Sequence, residues 1–337
     1  MKIVFWGTPS FSIKSLEKLH SSDNEIIGVV TQPDKKRSRG SKLISSPVKK
    51  RSLELGLSVY MPEKIKENSL EKEKILNLDA DIYIVVAFGQ ILPSEVLSKP
   101  KYGCWNSHAS ILPKWRGAAP IQRALINGDK KTGVGIMLME KGLDTGPVIL
   151  EKKIGIDEFD NHEILSNKLS NISGDLLLEL INIIECKSKI PEFNINQDLD
   201  LKKQIDIHLD KVTYANMINK KELKIDWSSS SATIHRKVMG LYPNAFTTFN
   251  NKRVKILSTS RIDYLKEKDK IKMLDIIKIN NMSKPGNIVF HDDKIGILVK
   301  SKDSFILIKR GKLEGKNEVE SDVLFKQLNA KINYHFD

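Results

Sequence analysis

The chain has 337 residues, 40% hydrophobic and 29% charged, with a formal net charge of +13. That composition permits a buried core and a soluble surface, the length favours two domains at roughly 100–200 residues each, and no stretch approaches the roughly 18 apolar residues of a membrane span. The opening Lys2-Ile3-Val4-Phe5-Trp6-Gly7 starts a strand and lacks the basic start, apolar run and cleavage site of a signal peptide, so the expected location is the cytoplasm.

In chain order, strands are expected at residues 3–6, 25–30, 58–61, 81–87, 103–107, 133–139 and 148–152. Most are apolar and rich in Val and Ile, the pattern of strands buried on both faces of a parallel sheet. Helices are expected between them. Ser10 can cap residues 11–21, residues 63–78 are amphipathic, and Pro120 suits a first helical turn, where its missing N–H is not needed. Asp160 and Glu163 form a capping box for a longer helix carrying Ile164, Leu165, Leu169, Ile172, Leu176, Leu180 and Ile184 at near-helical spacing. The result is an α/β fold with an open, mostly parallel Rossmann-like sheet.

Residues 190–207 turn polar and rich in Asn and Asp, and are expected to form a linker. A helix follows at 232–241, capped from the serine run 228–231. Short strands come next at 245–249, 254–259, 286–290, 296–300 and 304–309, with turn signals at Asn250-Asn251 and Asp292-Asp293, and a closing helix at 322–331. This pattern predicts a smaller C-terminal antiparallel β-barrel of the OB-like kind. The expected domains are therefore 1–189 and 208–337, joined by 190–207.

The charge is uneven. Residues 202–337 hold 27 Lys and Arg against 16 Asp and Glu, a net +11, while residues 1–201 are net +2. Residues 34–51 alone carry eight basic side chains and one acidic one. Basic charge gathered in one loop and one domain suits a polyanion; lysine outnumbers arginine 46 to 9, so compositional drift is the competing reading. Cys104 and Cys186 make no disulfide framework, and no two of the seven histidines have the three-to-five spacing of a zinc site, so no metal is expected.

The first strand ends in Gly7-Thr8-Pro9-Ser10 and not in a dinucleotide fingerprint, and Pro9 removes a donor that a phosphate cradle would use. A phosphate-binding P-loop and a nucleophile elbow are both absent. The stretch 103–113, Gly-Cys-Trp-Asn-Ser-His-Ala-Ser-Ile-Leu-Pro, runs from an apolar strand into polar residues. In open α/β sheets ligands bind beyond the C-terminal ends of strands. Asn106 and His108 are two apart, so on a strand they share a face. An amide and an imidazole there can polarise a carbonyl and hold its oxyanion; equally, they can form a hydrogen-bonded turn. A second polar cluster, Glu140-Lys141-Gly142-Leu143-Asp144-Thr145-Gly146, holds a carboxylate between two glycines. Asp144 can pair with His108 or stabilise a hairpin. Phe88, Gly89, Ile91 and Leu92 follow a third apolar strand and offer either a bed for a flat ligand or plain core.

Several motifs carry a resemblance to a known family. They are Gly7-Thr8-Pro9-Ser10-Phe11, Thr31-Gln32-Pro33-Asp34, the Asn106-x-His108 strand, Leu112-Pro113-Lys114-Trp115-Arg116-Gly117-Ala118-Ala119-Pro120-Ile121, and Gly142-Leu143-Asp144-Thr145-Gly146. In this order they resemble the folate-dependent formyltransferase family, densely over residues 1–150 and more faintly beyond, where Ile225-Asp226-Trp227 is the best match. The resemblance implies 10-formyltetrahydrofolate as co-substrate and Asn106, His108 and Asp144 as the catalytic set. It implies that Ser110, Ile111, Leu112 and Pro113 contribute to folate binding, and the expected folate site adds Phe88, Gly89, Ile91, Leu92, Gly142 and Leu143. Within the family, the basic insertion 35–51 with Arg37, Arg39 and Lys42, the stretch 115–120 and the basic C-terminal domain imply an RNA acceptor. That acceptor would be the α-amino group of methionine esterified to initiator tRNA, and the enzyme would be a monomer. Two alternatives share the catalytic set: a sugar-nucleotide or small-amine N-formyltransferase, and a formyltetrahydrofolate hydrolase. A third, from another class, is an RNA-binding module that only retains the fold.

Overall fold

A computed structural model describes residues 1–36, 43–189, 192–204 and 211–337. The strands of the first half are β1 (Lys2–Gly7), β2 (Glu25–Val30), β3 (Lys35–Lys36), β4 (Leu43–Ile44), β5 (Val59–Tyr60), β6 (Ile82–Val86), β7 (Cys104–His108), β8 (Lys131–Leu138) and β9 (Val148–Gly155). Seven of them form one sheet in the order β5-β2-β1-β6-β7-β8-β9. The central strands are buried along nearly their whole length, while β9 at one edge is largely open and β5 at the other is half-buried. That is why the central strands read as unbroken apolar runs: both of their faces are covered.

The pairs β2–β5, β1–β2, β1–β6 and β6–β7 are parallel, whereas β7–β8 and β8–β9 are antiparallel. Apolar content does not encode strand direction, so this reversal was not readable beforehand. It matters for the site, because β8 ends beside the start of β7, with Leu138 opposite Trp105.

The register of β7 is fixed from its other side. The Ser107 hydroxyl lies 2.6 Å from that of Ser173 on the long helix His162–Lys187, and Ser173 in turn lies 2.9 Å from Ser15. With Ser107 turned to that helix, its neighbours Asn106 and His108 face the opposite way. Strands β3 and β4 form a small hairpin. Its base is tied down by Lys49 on Asp34 at 2.7 Å and by the Thr31 and Ser46 hydroxyls at 2.8 Å.

The chain divides into two compact units. The first contains Met1–Pro120, Lys131–Gly155 and Leu165–Asn216; the second contains Ile121–Lys130, Ile156–Ile164 and Met217–Asp337. The stretch expected as a linker is hydrogen-bonded into the first unit at Lys202, which exchanges two 2.9 Å backbone bonds with Val148.

The second unit holds β10 (Phe246–Phe249), β11 (Lys252–Arg261), β12 (Ile288–Asp292), β13 (Gly296–Lys300), β14 (Phe305–Leu313) and β15 (Val319–Glu320). They form an antiparallel sheet in the order β10-β11-β14-β13-β12, with β15 added to β14. Alternate side chains divide between two cores. Ile297, Val299, Ile306 and Ile308 enter one, with Trp227, Ile234, Val238 and Phe336; Leu298, Phe305 and Leu307 enter the other, with Met273 and Val289. The second core is covered by helix Glu267–Ile279, which the sequence reading left unassigned. Ile271, Leu274 and Ile279 on that helix are exposed while Met273 is buried, so its apolar residues make no single stripe.

The ends of this sheet path are joined by residues 333–337. Asn333 and Phe336 donate to the Ile288 and Gly286 carbonyls at 2.7 and 2.9 Å, and Ile288 donates to Tyr334 at 2.8 Å. On the other side Asp337 and Thr248 exchange bonds of 3.0 and 3.2 Å. The tail thus bridges the β12 and β10 edges and closes the antiparallel sheet into a barrel-like ring, leaving neither edge open there.

Candidate active site

Asn106 and His108 stand on one face of β7, both buried. The His108 Nε2 lies 2.9 Å from the Trp115 carbonyl, which can only accept, so Nε2 carries the hydrogen. The other ring nitrogen, Nδ1, faces Asp144 Oδ2 at 3.7 Å. Asn106 Nδ2 donates to Asp144 Oδ1 at 3.4 Å, and the Gly117 amide donates to Oδ2 at 2.8 Å. The three polar residues singled out from the sequence therefore converge, with the Asp144 carboxylate in the middle.

Asp144 reaches this position by a route the sheet does not supply. Because β8 is antiparallel, residues 139–147 start beside the beginning of β7 and must double back to Asn106 and His108. Gly146 makes the tight passage possible: a Cβ there would stand 1.8 Å from the Leu138 carbonyl oxygen. Asp144 itself takes a left-handed backbone, φ +51°, a conformation that Asp tolerates better than most residues.

Residues outside these motifs complete the arrangement, and sequence reasoning missed them. Gln204 donates from Nε2 to the Asp144 and Gly146 carbonyls at 2.9 and 2.7 Å, and its Oε1 accepts from Arg116 Nε and Nη2 at 3.0 and 2.7 Å. Thr213 accepts from the Trp115 amide through its hydroxyl at 2.9 Å and from the Arg116 amide through its carbonyl at 2.9 Å. Neither residue lies in a motif that carries the family resemblance, so nothing in the sequence singles them out.

The expected ligand-binding segments are placed as follows. β6 and β7 are parallel neighbours, so residues 87–92 and 109–113 leave the sheet at the same edge. Phe88 and Leu92 are core side chains, Phe88 packing edge-on against Trp6 at 5.2 Å. The Phe88 carbonyl accepts from Thr8 Oγ1 at 2.8 Å and Gln32 Nε2 at 3.3 Å, so the Gly7 and Thr31 motifs meet at this turn. Ser110 spends its hydroxyl on the Lys114 carbonyl at 2.5 Å, and Leu112 packs on Met137 and Val148. Pro113 is buried and Ile111 half-buried. Gly89 and Gly142 have φ of +89° and +155°. Ile91 and Leu143, 66% and 53% exposed, are the large apolar side chains among these that remain open to a ligand. Arg37, Arg39 and Lys42 lie outside the described residues.

Cys104, on the same strand, is buried, and burial pushes its thiol pKa well up. It packs near Met139 Sδ at 3.6 Å and is an inert core thiol. Among the described residues no cluster of His, Cys, Asp and Glu is grouped to hold a metal ion, and no helix is long and apolar enough to cross a membrane.

Two family models match, "Formyl transferase" over residues 1–181 and "Formyl transferase, C-terminal domain" over residues 217–329. The chain belongs to the formyl transferase family. Relatives within the formyl transferases include a methionyl-tRNA formyltransferase of Prochlorococcus marinus (strain MIT 9211), 46% identical with all of both chains covered. Another, of Synechococcus sp. (strain WH7803), is 43% identical over 98% of this chain and 97% of its own. Among solved structures, a sugar 3N-formyl transferase crystallised in the presence of dTDP and 5-N-formyl-THF aligns with a TM-score of 0.60 at 20% identity, over 94% of this chain and 99% of that one. HypX from Aquifex aeolicus in complex with tetrahydrofolic acid aligns with a TM-score of 0.60 at 14% identity, over 98% of this chain and 48% of that one. At such identities these two neighbours bear on the fold alone.

Proposed function

We propose that this formyl transferase moves the formyl group of 10-formyltetrahydrofolate to the α-amino group of methionyl initiator tRNA, in the cytoplasm, with Asn106, His108 and Asp144 as its catalytic set. The observation that carries the reading is the convergence of the Asn106 amide and the His108 imidazole, both on one face of β7, on the Asp144 carboxylate, at 3.4 and 3.7 Å. The first unit takes the folate, with Ile91 and Leu143 supplying open apolar surface and the turns at Gly89 and Gly142 admitting close backbone approach. The basic stretch with Arg37, Arg39 and Lys42, and the basic second unit, take the RNA.

The chemistry follows from the groups present. A free α-amine has a pKa of about 7.7–8.0, so a fraction is neutral and nucleophilic near pH 7. As its nitrogen bonds to the formyl carbon, negative charge collects on the formyl oxygen. Asn106, with the second hydrogen of Nδ2, and the His108 ring, with its Nε2 hydrogen turned from the Trp115 carbonyl to the substrate, stabilise that charge. The bond from the formyl carbon to the folate nitrogen then breaks. Asp144, with His108, passes the proton from the attacking nitrogen to the leaving one, so charge and atoms balance across the transfer.

The test is a purified-protein assay with the formyl donor and, in parallel, charged initiator tRNA, a nucleotide-linked amino sugar, or no acceptor. Formyl-methionine released from the tRNA, with no turnover of the sugar, is the expected result. Faster transfer to the sugar, or donor hydrolysis that ignores every acceptor, overturns the assignment.

A further inference from the structure

We propose that Gln204 is a positioning residue for formyl transfer, acting on the reaction through Asp144; the inference rests on the role assigned above to that carboxylate. Gln204 is buried, 2% exposed, and lies far along the chain from every motif of the site. A primary amide has two N–H donors and two acceptor lone pairs. All four are used here, on the Asp144 and Gly146 carbonyls and on two nitrogens of Arg116. The partners also settle which way the amide faces. Carbonyls only accept and a guanidinium only donates, so a flipped amide would set like against like on both sides.

These bonds close a ring. Gln204 holds the Asp144 backbone carbonyl and the Arg116 side chain; the next residue, Gly117, places its amide 2.8 Å from the Asp144 carboxylate. Both ends of Asp144, carbonyl and carboxylate, are thus referred to the 115–117 segment. The same segment accepts His108 Nε2 at the Trp115 carbonyl, 2.9 Å away. Without the ring, Asp144 sits on a turn that the antiparallel β8 carries away from His108, in a left-handed backbone that must be held by its surroundings. Gln204 bonds directly to neither Asn106 nor His108, so its effect on the reaction passes through Asp144 and the 115–117 segment. Misplacing a reacting group by about 1 Å can cost on the order of a hundredfold in rate.

Gln204→Glu separates the two halves of the clamp. It keeps an oxygen for Arg116 and sets the other oxygen against two carbonyls. We expect kcat to fall at least about tenfold while KM for the formyl donor changes less than about threefold and the thermal midpoint moves little. A residue needed only for folding would instead lower the yield of folded protein and leave kcat per folded molecule intact. Amide exchange at Gly117 gives a second readout that needs no substrate: its N–H, bonded to Asp144, should lose about tenfold of its protection in Gln204→Glu and also in Asp144→Ala, while amides of β6 and β7 keep theirs. Arg116→Lys, which retains the charge but not the two-pronged contact, should reproduce the kcat loss and covers the case in which Gln204→Glu does not fold. Wild-type kcat in Gln204→Glu with unchanged Gly117 protection overturns the proposal. Failure of the wild type to use charged tRNA bears on the acceptor assignment, and the exchange comparison still decides the role of Gln204.

Discussion

Phe336 stacks on Trp227, with ring centroids 5.7 Å apart and planes inclined by 23°, and it also meets Phe249 at 5.3 Å. The contact is made by the segment that joins the two edges of the second sheet, so packing and backbone pairing are lost together when it is disturbed. Phe336→Ala should destabilise the second unit by about 3–5 kcal/mol, the usual cost of deleting a buried aromatic. Removal of residues 334–337 should cost at least as much. Denaturant unfolding followed by tryptophan fluorescence measures both; a Phe336→Ala loss below about 1 kcal/mol would mean that the ring is not integral to that core.

For the catalytic set, Asn106→Ala, His108→Ala and Asp144→Ala should each reduce turnover by at least about a hundredfold. Folding should survive, because these side chains face the site while Ser107 holds the strand to the helix behind it. Asp144→Asn is the most informative variant, since it keeps the shape and one acceptor oxygen. Near-normal turnover in Asp144→Asn would remove the proton-transfer role.

The RNA reading is tested by salt. Each phosphate neutralised contributes a log–log slope of roughly −0.7 to −0.9 to affinity. Replacing Arg37, Arg39 and Lys42 by alanine should flatten the slope for tRNA by up to about two to three units in total and slow formylation, with folate binding unchanged. Identical slopes in wild type and variant would assign these charges to compositional drift and favour a smaller acceptor.

His235 gives a pH dependence of stability. It is buried, with Nε2 on the Glu158 carbonyl at 3.2 Å and Nδ1 on the Thr259 hydroxyl at 2.9 Å, and burial lowers its pKa. The folded state therefore binds a proton less readily than the unfolded chain. The contribution is fully present above the unfolded histidine value near 6.5 and is lost as pH falls through the lowered folded value. His162 and His291 are shifted the same way, again first by burial. Melting curves between pH 8 and about pH 4.5 should show stability declining below about pH 6.5, and His235→Gln should make that decline shallower. An unchanged pH profile in His235→Gln would exclude the buried ring as a source.

Much of the first sheet was legible because burial on both faces leaves an apolar signature, as in Ile82–Val86. The same signature hides direction, which is why the reversal at β8 had to come from the structure. In the second unit the paired turns Asn250-Asn251 and Asp292-Asp293 marked two hairpins, and both connect antiparallel strands. The helix Glu267–Ile279 was missed because it is apolar on more than one side, and the tail at 333–337 because a strand-like segment of five residues has no turn signal of its own. At the site, Asn106, His108 and Asp144 were legible as polar residues breaking an apolar or glycine-rich context. Gln204 and Thr213 were not: they lie outside the motifs that carry the family resemblance, and only their distant partners distinguish them.

The ties of Gln204 to the turn around Asp144, and of Thr213 and Ala215 to residues 115–119, limit how this protein can be re-engineered. A graft that exchanges residues 139–147 with those of a relative brings in a new turn but keeps the host's Gln204, Thr213 and Ala215. Ala215 already donates to the Arg116 carbonyl at 2.7 Å and accepts from the Ala119 amide at 3.1 Å. Such chimeras should succeed when 115–119, 139–147 and 202–215 travel as one cassette. They should lose activity when the crossover falls at residue 189, where composition alone would place the seam.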